Sequence, residues 1–393
     1  MPDPTVRNVG LLAGCQAFAN IAMTLNMTVT ALAAMTMLED KGWATAPLGL
    51  QFTATMLTTF PASLLMRRVG RRAGFAIGTG IGVSGAGLAI AALFLGNFVL
   101  FCLAAVLIGS FMGFVSFFRY AAADTASEAF KSKAISLVLA GGVISAVVAP
   151  TLADRSFELL PPVTFAGTYV VMVMFVAAIW ALLLFVQIPA PTIAKSKDTG
   201  RPLKQIVSNP VFFVAAAGAM IGYGAMTYVM TATPIAMLAC GYLFTNTTSV
   251  IQWHVLGMFV PSFFTGHLIA RFGVLQIMMV GAGMLVAAVL VNQSGIELMH
   301  FYAGLVLLGL GWNFLYIGGS TLLTQSYQPL EKAKVQGVFD TLIFATAASG
   351  SILAGMIQEI SGWQTVNQGV LPLIAIAIGL IVWMMFLQRR PAS

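Results

Sequence analysis

Long apolar stretches separated by short polar breaks form the main pattern of this chain. A helix that crosses the hydrocarbon core of a bilayer needs about 20 mainly apolar residues. Stretches of this kind lie roughly at residues 9–37, 47–66, 73–95, 98–118, 134–153, 163–187, 210–238, 246–269, 274–292, 299–323, 335–357 and 369–387. The sequence therefore predicts an all-α membrane protein with twelve transmembrane helices.

The only long polar connection joins the sixth and seventh spans and reads IPAPTIAKSKDTGRPLKQ. It divides the chain into an N-terminal six-helix half, a cytoplasmic linker and a C-terminal six-helix half. The predicted bounds of these three parts are 1–187, 188–205 and 206–393.

Short stretches recur in the two halves at a nearly constant offset. RRVG at 67–70 matches ARFG at 270–273, and KSKAIS, which begins at Lys131, matches KAKVQG, which begins at Lys332. These offsets of 203 and 201 residues predict an internal duplication and two pseudo-symmetric halves.

The basic residues predict the orientation of the spans. Of the 19 lysines and arginines, 17 fall on the side of the termini, and only Lys41 and Arg155 fall on the other side. Cytoplasmic loops carry such an excess of basic residues. We therefore expect a multi-pass protein of the bacterial inner membrane, with both termini cytoplasmic and the first span retained.

Composition narrows the function classes. The chain is 59% apolar and only 8% charged, whereas soluble domains carry roughly 25% charged residues. Soluble enzymes and nucleic-acid binders are thus excluded, and the net charge of +7 is scattered over the loops rather than gathered in one patch. We expect a carrier without a cofactor or a catalytic residue, whose constant partner is the lipid bilayer.

The predicted membrane interior contains almost no charge. No lysine, arginine or carboxylate lies near the middle of a span, although intramembrane charges commonly mark ion and substrate pathways. Phosphorylated and carboxylate substrates are therefore disfavoured. A substrate must be held by neutral or soft side chains.

Four residues on spans seven and eight are the first candidates for such a site. Met226 and Met230 are four residues apart and share a helix face, as do His254 and Met258. With a rise of 1.5 Å per residue, Met226 and His254 both lie about 25 Å above the inner boundary. Thioether and imidazole donors favour Cu(I), so these four residues form a predicted copper site.

Secondary candidates come from symmetry and position. Subtracting 203 from Met226, Met230 and His254 gives Met23, Met27 and Gln51 in the first half. Cys240, at the outer end of span seven, is a soft donor that could receive Cu(I). Arg119, Asp124 and Asp340 lie near the inner face and are possible gating residues.

The loop SLLMRRVGRR and its repeat GHLIARFG resemble the basic loop of the major facilitator superfamily, although Arg67 and Ala270 stand where that pattern has aspartate. The MxxxM and HxxxM pairs on spans seven and eight, with FFRYAAAD and GWNFLYIGGS, resemble its CcoA-type copper importers. This resemblance implies copper import by alternating access, in support of cbb3-type cytochrome c oxidase assembly. It also implies a periplasmic copper donor and a cytoplasmic acceptor as partners.

Other interpretations stay open. The methionines are also typical of an adaptable apolar pocket, which favours a transporter or exporter of a lipophilic organic solute. A copper sensor or scaffold that binds without turnover is a further alternative. In a fourth interpretation there is no binding site: the methionine pairs only pack against neighbouring helices, and His254 is hydrogen-bonded to one of them.

Overall fold

The structure, a computed structural model, describes residues 4–125, 138, 141–188, 200–328 and 331–389. Every regular element in these ranges is helical, and none of them forms a β-strand. The chain divides into two compact units, Met1–Ile193 and Ala194–Ser393. The prediction of an all-α fold is confirmed.

The first unit contains seven helices in its described part. They are α1 (Pro4–Met35), α2 (Ala46–Val69), α3 (Arg71–Phe94), α4 (Phe98–Val115), α5 (Phe118–Thr125), α6 (Gly141–Ser156) and α7 (Ala166–Phe185), with a short 3₁₀ turn at Lys41–Trp43. Side chains cap two of these elements: Asp40 accepts from the backbone N–H of Gly42, and Asn97 accepts from that of Leu100.

The second unit contains eight helices in its described part. They are α8 (Leu203–Val207), α9 (Pro210–Ala239), α10 (Phe244–Phe259), α11 (Ser262–Phe272), α12 (Val274–Ser294), α13 (Leu298–Leu323), α14 (Lys332–Gln368) and α15 (Leu371–Arg389). Asn209 caps α9, whose first residue is a proline. Gly362 interrupts α14 with a φ of +74°, a conformation that favours glycine.

Each predicted span overlaps a described helix, although residues 134–137 and 139–140 of the predicted fifth span lie outside the described residues. By length and apolar composition, eight described helical stretches suffice to cross a membrane, or nine when α10 and α11 are joined. Span eight, predicted as one helix over 246–269, is instead two helices that meet at a 40° bend. Pro261 lies at the break and accounts for the bend, which the hydropathy pattern does not predict.

The internal duplication is visible as the same contact in both units. A Cβ atom added at Gly78 would lie 2.6 Å from the Cβ of Phe114, and one at Gly281 would lie 2.8 Å from the Cβ of Phe314. Only glycine permits helices to approach this closely. The contact thus recurs between α3 and α4 and between α12 and α13, as pseudo-symmetric halves require.

The end of the predicted linker is anchored to the second unit by an ion pair. The Arg201 guanidinium contacts the Glu331 carboxylate at 2.7 Å, and the backbone N–H of Arg201 donates to the same group at 2.8 Å. This hydrogen-bonded guanidinium lowers the pKa of Glu331 to about 2. Lys334 donates to the Arg201 carbonyl oxygen. The backbone N–H and the backbone carbonyl of Arg201 are therefore both hydrogen-bonded.

Candidate functional site

The four predicted copper ligands all lie on buried helix faces of the second unit. Met226 and Met230 are on α9, and His254 and Met258 are on α10. Helix α10 packs chiefly against α13, and its contact with α9 is small. Burial of these side chains agrees with a site inside the helical unit. Their assembly around one ion stays a prediction.

His254 is held in one orientation by α13. Its Nδ1 donates to the Leu305 carbonyl oxygen at 2.7 Å, because a carbonyl can only accept. The other ring nitrogen, Nε2, therefore carries the lone pair. It is fully buried and has no hydrogen-bond partner among the residues that the structure describes. His254 therefore makes a hydrogen bond to a neighbouring helix and still offers an acceptor at Nε2.

The symmetry-related candidates lie together in the first unit. Gln51 donates through Nε2 to the Met23 sulfur at 3.0 Å and accepts from Asn26 at 2.5 Å. Its backbone carbonyl packs on Gly109, as the carbonyl of His254 packs on Gly309. Gln51 is therefore the structural counterpart of His254. Its amide nitrogen and its amide oxygen, however, each have a partner within the first unit.

The remaining predicted residues are spread along the chain. Met27 is half-buried on α1, Cys240 is partly exposed at the end of α9, and Arg119 is half-buried on α5. Asp340 is half-buried on α14, within electrostatic range of the Tyr223 hydroxyl. The side chain of Asp124 lies outside the described residues. Among the described residues, His, Cys, Asp and Glu form no group of three or more that could hold a metal ion.

An aromatic cluster in the second unit was not predicted. Trp312 and Tyr316 on α13 stack at 5.1 Å with an interplanar angle of 14°. Tyr223 on α9 meets both rings edge-on, at 5.8 and 5.6 Å, and Phe344 on α14 at 6.2 Å. Phe259, at the end of α10, closes the set at 6.1 Å from Trp312. We call these five residues the aromatic cluster.

Some buried polar atoms of the second unit have no hydrogen-bond partner among the described residues. Within the described part of the chain, the buried Nε1–H of Trp312 has no acceptor, and the buried hydroxyl of Thr227 on α9 has no partner. With the Nε2 of His254, the second unit thus holds a donor, an acceptor and a hydroxyl in an apolar interior. Buried polar groups are normally paired. An apolar wall with a few polar groups is typical of small-molecule sites.

Asn313 connects this region to the bend of span eight. Its Nδ2 donates to the Met258 carbonyl oxygen and to the Ser262 hydroxyl, both at 2.6 Å, and its Oδ1 accepts from Thr265 at 2.7 Å. The break at Pro261 removes helical hydrogen bonds. Asn313 replaces them from α13, next to Trp312. The side chain of Asn313 therefore stabilises the bend of span eight through hydrogen bonds on both sides of Pro261.

Comparison with known proteins identifies the family to which the chain belongs. The model of the Major Facilitator Superfamily matches residues 15–291 and 244–393. The chain belongs to the Major Facilitator Superfamily. This confirms the superfamily part of the sequence resemblance and makes the chain a multi-pass secondary transporter.

Relatives within the superfamily differ from the predicted branch. The chain is 35% identical to the riboflavin transporter RfnT of Brucella anthropi over 384 residues, which cover 96% of both proteins. It is 30% identical to the uncharacterised MFS-type transporter YddS of Bacillus subtilis, over 96% of this chain and 90% of the relative. These relatives do not support the copper-importer branch.

Solved structures of the superfamily agree in fold alone. The nucleoside transporter NupG superposes with a TM-score of 0.74 at 14% identity, over 96% of this chain and all of NupG. A bacterial homologue of the human lysosomal transporter Spinster gives a TM-score of 0.72 at 13% identity, over the whole of both chains.

Proposed function

We propose that this superfamily member is a secondary transporter for an organic solute with a flat aromatic ring system, with riboflavin as the first candidate. The aromatic cluster carries this proposal, and the 35% identity to a riboflavin transporter supports it. Transport would proceed by alternating access in the bacterial inner membrane.

The chemistry of the second unit suits a flavin. An isoalloxazine ring is flat, uncharged and lined with carbonyl and imide groups. Offset and edge-on contacts with aromatic side chains favour such a ring. The Trp312 Nε1–H offers a donor for a carbonyl, and the His254 Nε2 offers an acceptor for an imide N–H.

An uncharged ring also suits the rest of the interior. The predicted spans place no lysine or arginine at mid-depth, so nothing there would hold a phosphate. Met226, Met230 and Met258 then act as an adaptable apolar wall. In this proposal the four predicted copper ligands keep their place near the substrate, and His254 changes from a metal ligand to a hydrogen-bond acceptor.

Counterflow in proteoliposomes tests the proposal without assuming direction or a coupling ion. Vesicles that contain the purified protein are loaded with unlabelled riboflavin, and the entry of external radiolabelled riboflavin is measured. Exchange by the wild type is expected, and a Trp312→Leu variant should exchange more slowly at a low riboflavin concentration because its KM is raised. Trp383 on α15 is half-exposed, outside the aromatic cluster, so Trp383→Leu is the matched control and should exchange normally.

A parallel arm with radioactive Cu(I) separates the two substrate classes. The proposal expects no copper exchange, and riboflavin exchange that is insensitive to copper. If folded protein exchanges copper but not riboflavin, and His254→Ala abolishes that exchange, the flavin assignment is overturned and the copper hypothesis returns. Exchange of neither substrate also overturns the flavin assignment.

A further inference from the structure

Three buried hydroxyl side chains form a row next to the aromatic cluster. Thr227 and Thr231 on α9 and Ser351 on α14 are each at most 3% exposed. Thr227 follows Tyr223 by four residues and Thr231 follows it by eight, so all three lie along one stripe of α9. With a rise of 1.5 Å per residue, the two threonines lie about 6 and 12 Å past Tyr223 along the helix. We call Thr227, Thr231 and Ser351 the hydroxyl row.

Helix α14 runs beside this stripe of α9 and supplies the serine. The ring centres of Phe344 and Tyr223 are 6.2 Å apart, which joins the two helices at the level of the aromatic cluster. Ser351 follows Phe344 by seven residues, two helical turns on the same face of α14. Its hydroxyl oxygen lies 3.4 Å from that of Thr231. The hydroxyl row therefore continues from the aromatic cluster along the same seam between α9 and α14.

Thr227 is the member of the row whose hydroxyl has no partner in the described part of the chain. A threonine inside a helix commonly donates to the carbonyl four residues earlier, as Thr233 on α9 and Thr346 on α14 both do at 2.8 Å. Thr227 makes no such bond, although it is fully buried. In the corresponding turn of α14, Ala347 and Ala348 have no side-chain group that could pair with it. Because an unpaired buried hydroxyl is costly, this one is available to a ligand.

The other two hydroxyls are only weakly paired with each other. The distance of 3.4 Å between the oxygens of Thr231 and Ser351 exceeds the range of about 2.5–3.0 Å for an ordinary O–H···O hydrogen bond. A hydroxyl has one proton to donate and two lone pairs. Both side chains therefore retain the capacity to donate to a ligand and to accept from it.

We propose that the hydroxyl row binds a hydroxylated aliphatic chain of the substrate, while the aromatic cluster binds its ring. In riboflavin this chain is the ribityl group. The inference rests on the proposed function and adds a second subsite to it. Hydroxyls suit a polyol, because both partners donate and accept. Helix α9 contains no charged residue, so a phosphate at the end of the chain finds no counter-ion on this helix.

Competition in the riboflavin counterflow assay tests this subsite. Lumiflavin has the same ring as riboflavin but a methyl group in place of the ribityl chain, so it reports on the ring subsite alone. In the wild type, its inhibition constant should exceed the KM of riboflavin. Thr227→Val replaces the hydroxyl by a methyl group of similar size. It should raise the riboflavin KM about 2- to 12-fold, the equivalent of one neutral hydrogen bond, and leave the inhibition constant of lumiflavin unchanged.

Matched variants separate the hydroxyl from packing. Thr233→Val makes the same change on α9 at a buried hydroxyl that is already bonded to the Val229 carbonyl, and it should change neither constant. Thr227→Ser keeps the hydroxyl and should keep most of the preference for riboflavin. If this serine variant loses the preference as the valine variant does, at a normal melting temperature, the hydroxyl does not hold the chain and the proposal is overturned.

The melting temperature without substrate gives a second measurement. Thr227→Val removes an unpaired buried hydroxyl, so its melting temperature should equal or exceed that of the wild type. A lower melting temperature, together with a parallel rise in the constants of both flavins, identifies a structural hydroxyl and overturns the proposal.

The paired hydroxyls are tested by a double variant, Thr231→Val with Ser351→Ala. It should also raise the riboflavin KM relative to the inhibition constant of lumiflavin, and an unchanged ratio overturns the assignment of the row.

The outcomes separate this inference from the function on which it rests. If the wild type exchanges riboflavin but Thr227→Val leaves the ratio of the two constants unchanged, the subsite is wrong and the flavin transporter stands. If the wild type exchanges no flavin, the proposed function itself fails, and the subsite fails with it.

Discussion

The Nδ1 of His254 donates a 2.7 Å hydrogen bond to the carbonyl oxygen of Leu305 on the adjacent α13. This bond sets the tautomer and the direction of the ring. It leaves a fully buried lone pair at Nε2. In the proposed function, that lone pair accepts a hydrogen bond from the substrate.

Asparagine at position 254 tests this role. Its amide N–H can replace the Nδ1–H toward Leu305, but it has no acceptor at the position of Nε2. We expect His254→Asn to fold normally and to raise the KM for riboflavin exchange about 2- to 12-fold, the equivalent of one neutral hydrogen bond. An unchanged KM in counterflow would show that Nε2 does not touch the substrate.

Trp312 contributes both a ring and a donor, and two variants divide these contributions. Trp312→Phe keeps one aromatic ring beside Tyr316 but removes the Nε1–H and the second ring, so the KM should rise by at least the roughly 2- to 12-fold of one lost hydrogen bond, about 0.5–1.5 kcal/mol. Trp312→Leu also removes the aromatic contacts, which adds a further penalty of about 0.5–1.5 kcal/mol. Concentration-dependent exchange by both variants, with Trp383→Phe as control, provides the comparison. Equal KM values for the two variants would contradict a stacking role.

Asn313 should be a determinant of stability, because it satisfies polar groups at the bend of span eight. Asn313→Leu leaves the Met258 carbonyl and the Ser262 and Thr265 hydroxyls without this partner. We expect a loss of about 1–3 kcal/mol in the free energy of unfolding. A fluorescence melting curve in detergent measures it. Gln368→Leu, an exposed amide on α14, should change stability by less than about 0.5 kcal/mol.

The ion pair between Arg201 and Glu331 predicts a pH dependence. Glu331 has a pKa of about 2 in the folded protein, lowered from its ordinary value of 4.5. Its stabilising contribution is therefore complete above pH 4.5 and disappears as the pH falls through the folded value. Glu331→Gln should melt below the wild type at pH 7, and the difference should narrow below pH 4.5. Glu359→Gln, which removes the same charge from α14, is the control. A constant difference at all pH values would assign the effect to packing.

The fold was accessible from the sequence because each membrane helix needs its own apolar stretch. The predicted spans 73–95 and 274–292, for example, coincide with α3 and α12 to within two residues. The 203-residue offset that paired His254 with Gln51 reappears as the packing of their carbonyls on Gly309 and Gly109. The broken eighth span was missed, because hydropathy does not record where Asn313 can replace lost helical hydrogen bonds.

The site was less accessible, since its members meet only after folding. Methionine and histidine spacing within two helices predicted a copper ion, and the four side chains lie on buried faces of α9 and α10, but their assembly around one ligand stays a prediction. Trp312 and Tyr316 were visible in GWNFLYIGGS, but their spacing of four residues is equally typical of simple packing. Tyr223 precedes Trp312 by 89 residues, and no local pattern connects the two.

The order of apolar and polar residues by itself determined the all-helical fold and indicated the duplication, because the cost of placing polar groups in hydrocarbon acts on each segment separately. Only the tertiary structure decided which side chains share a site. Stacking of Trp312 on Tyr316, and the missing partners of the Trp312 and His254 nitrogens, depend on how α9, α10 and α13 pack. Short-range contacts between residues distant in sequence carry this information.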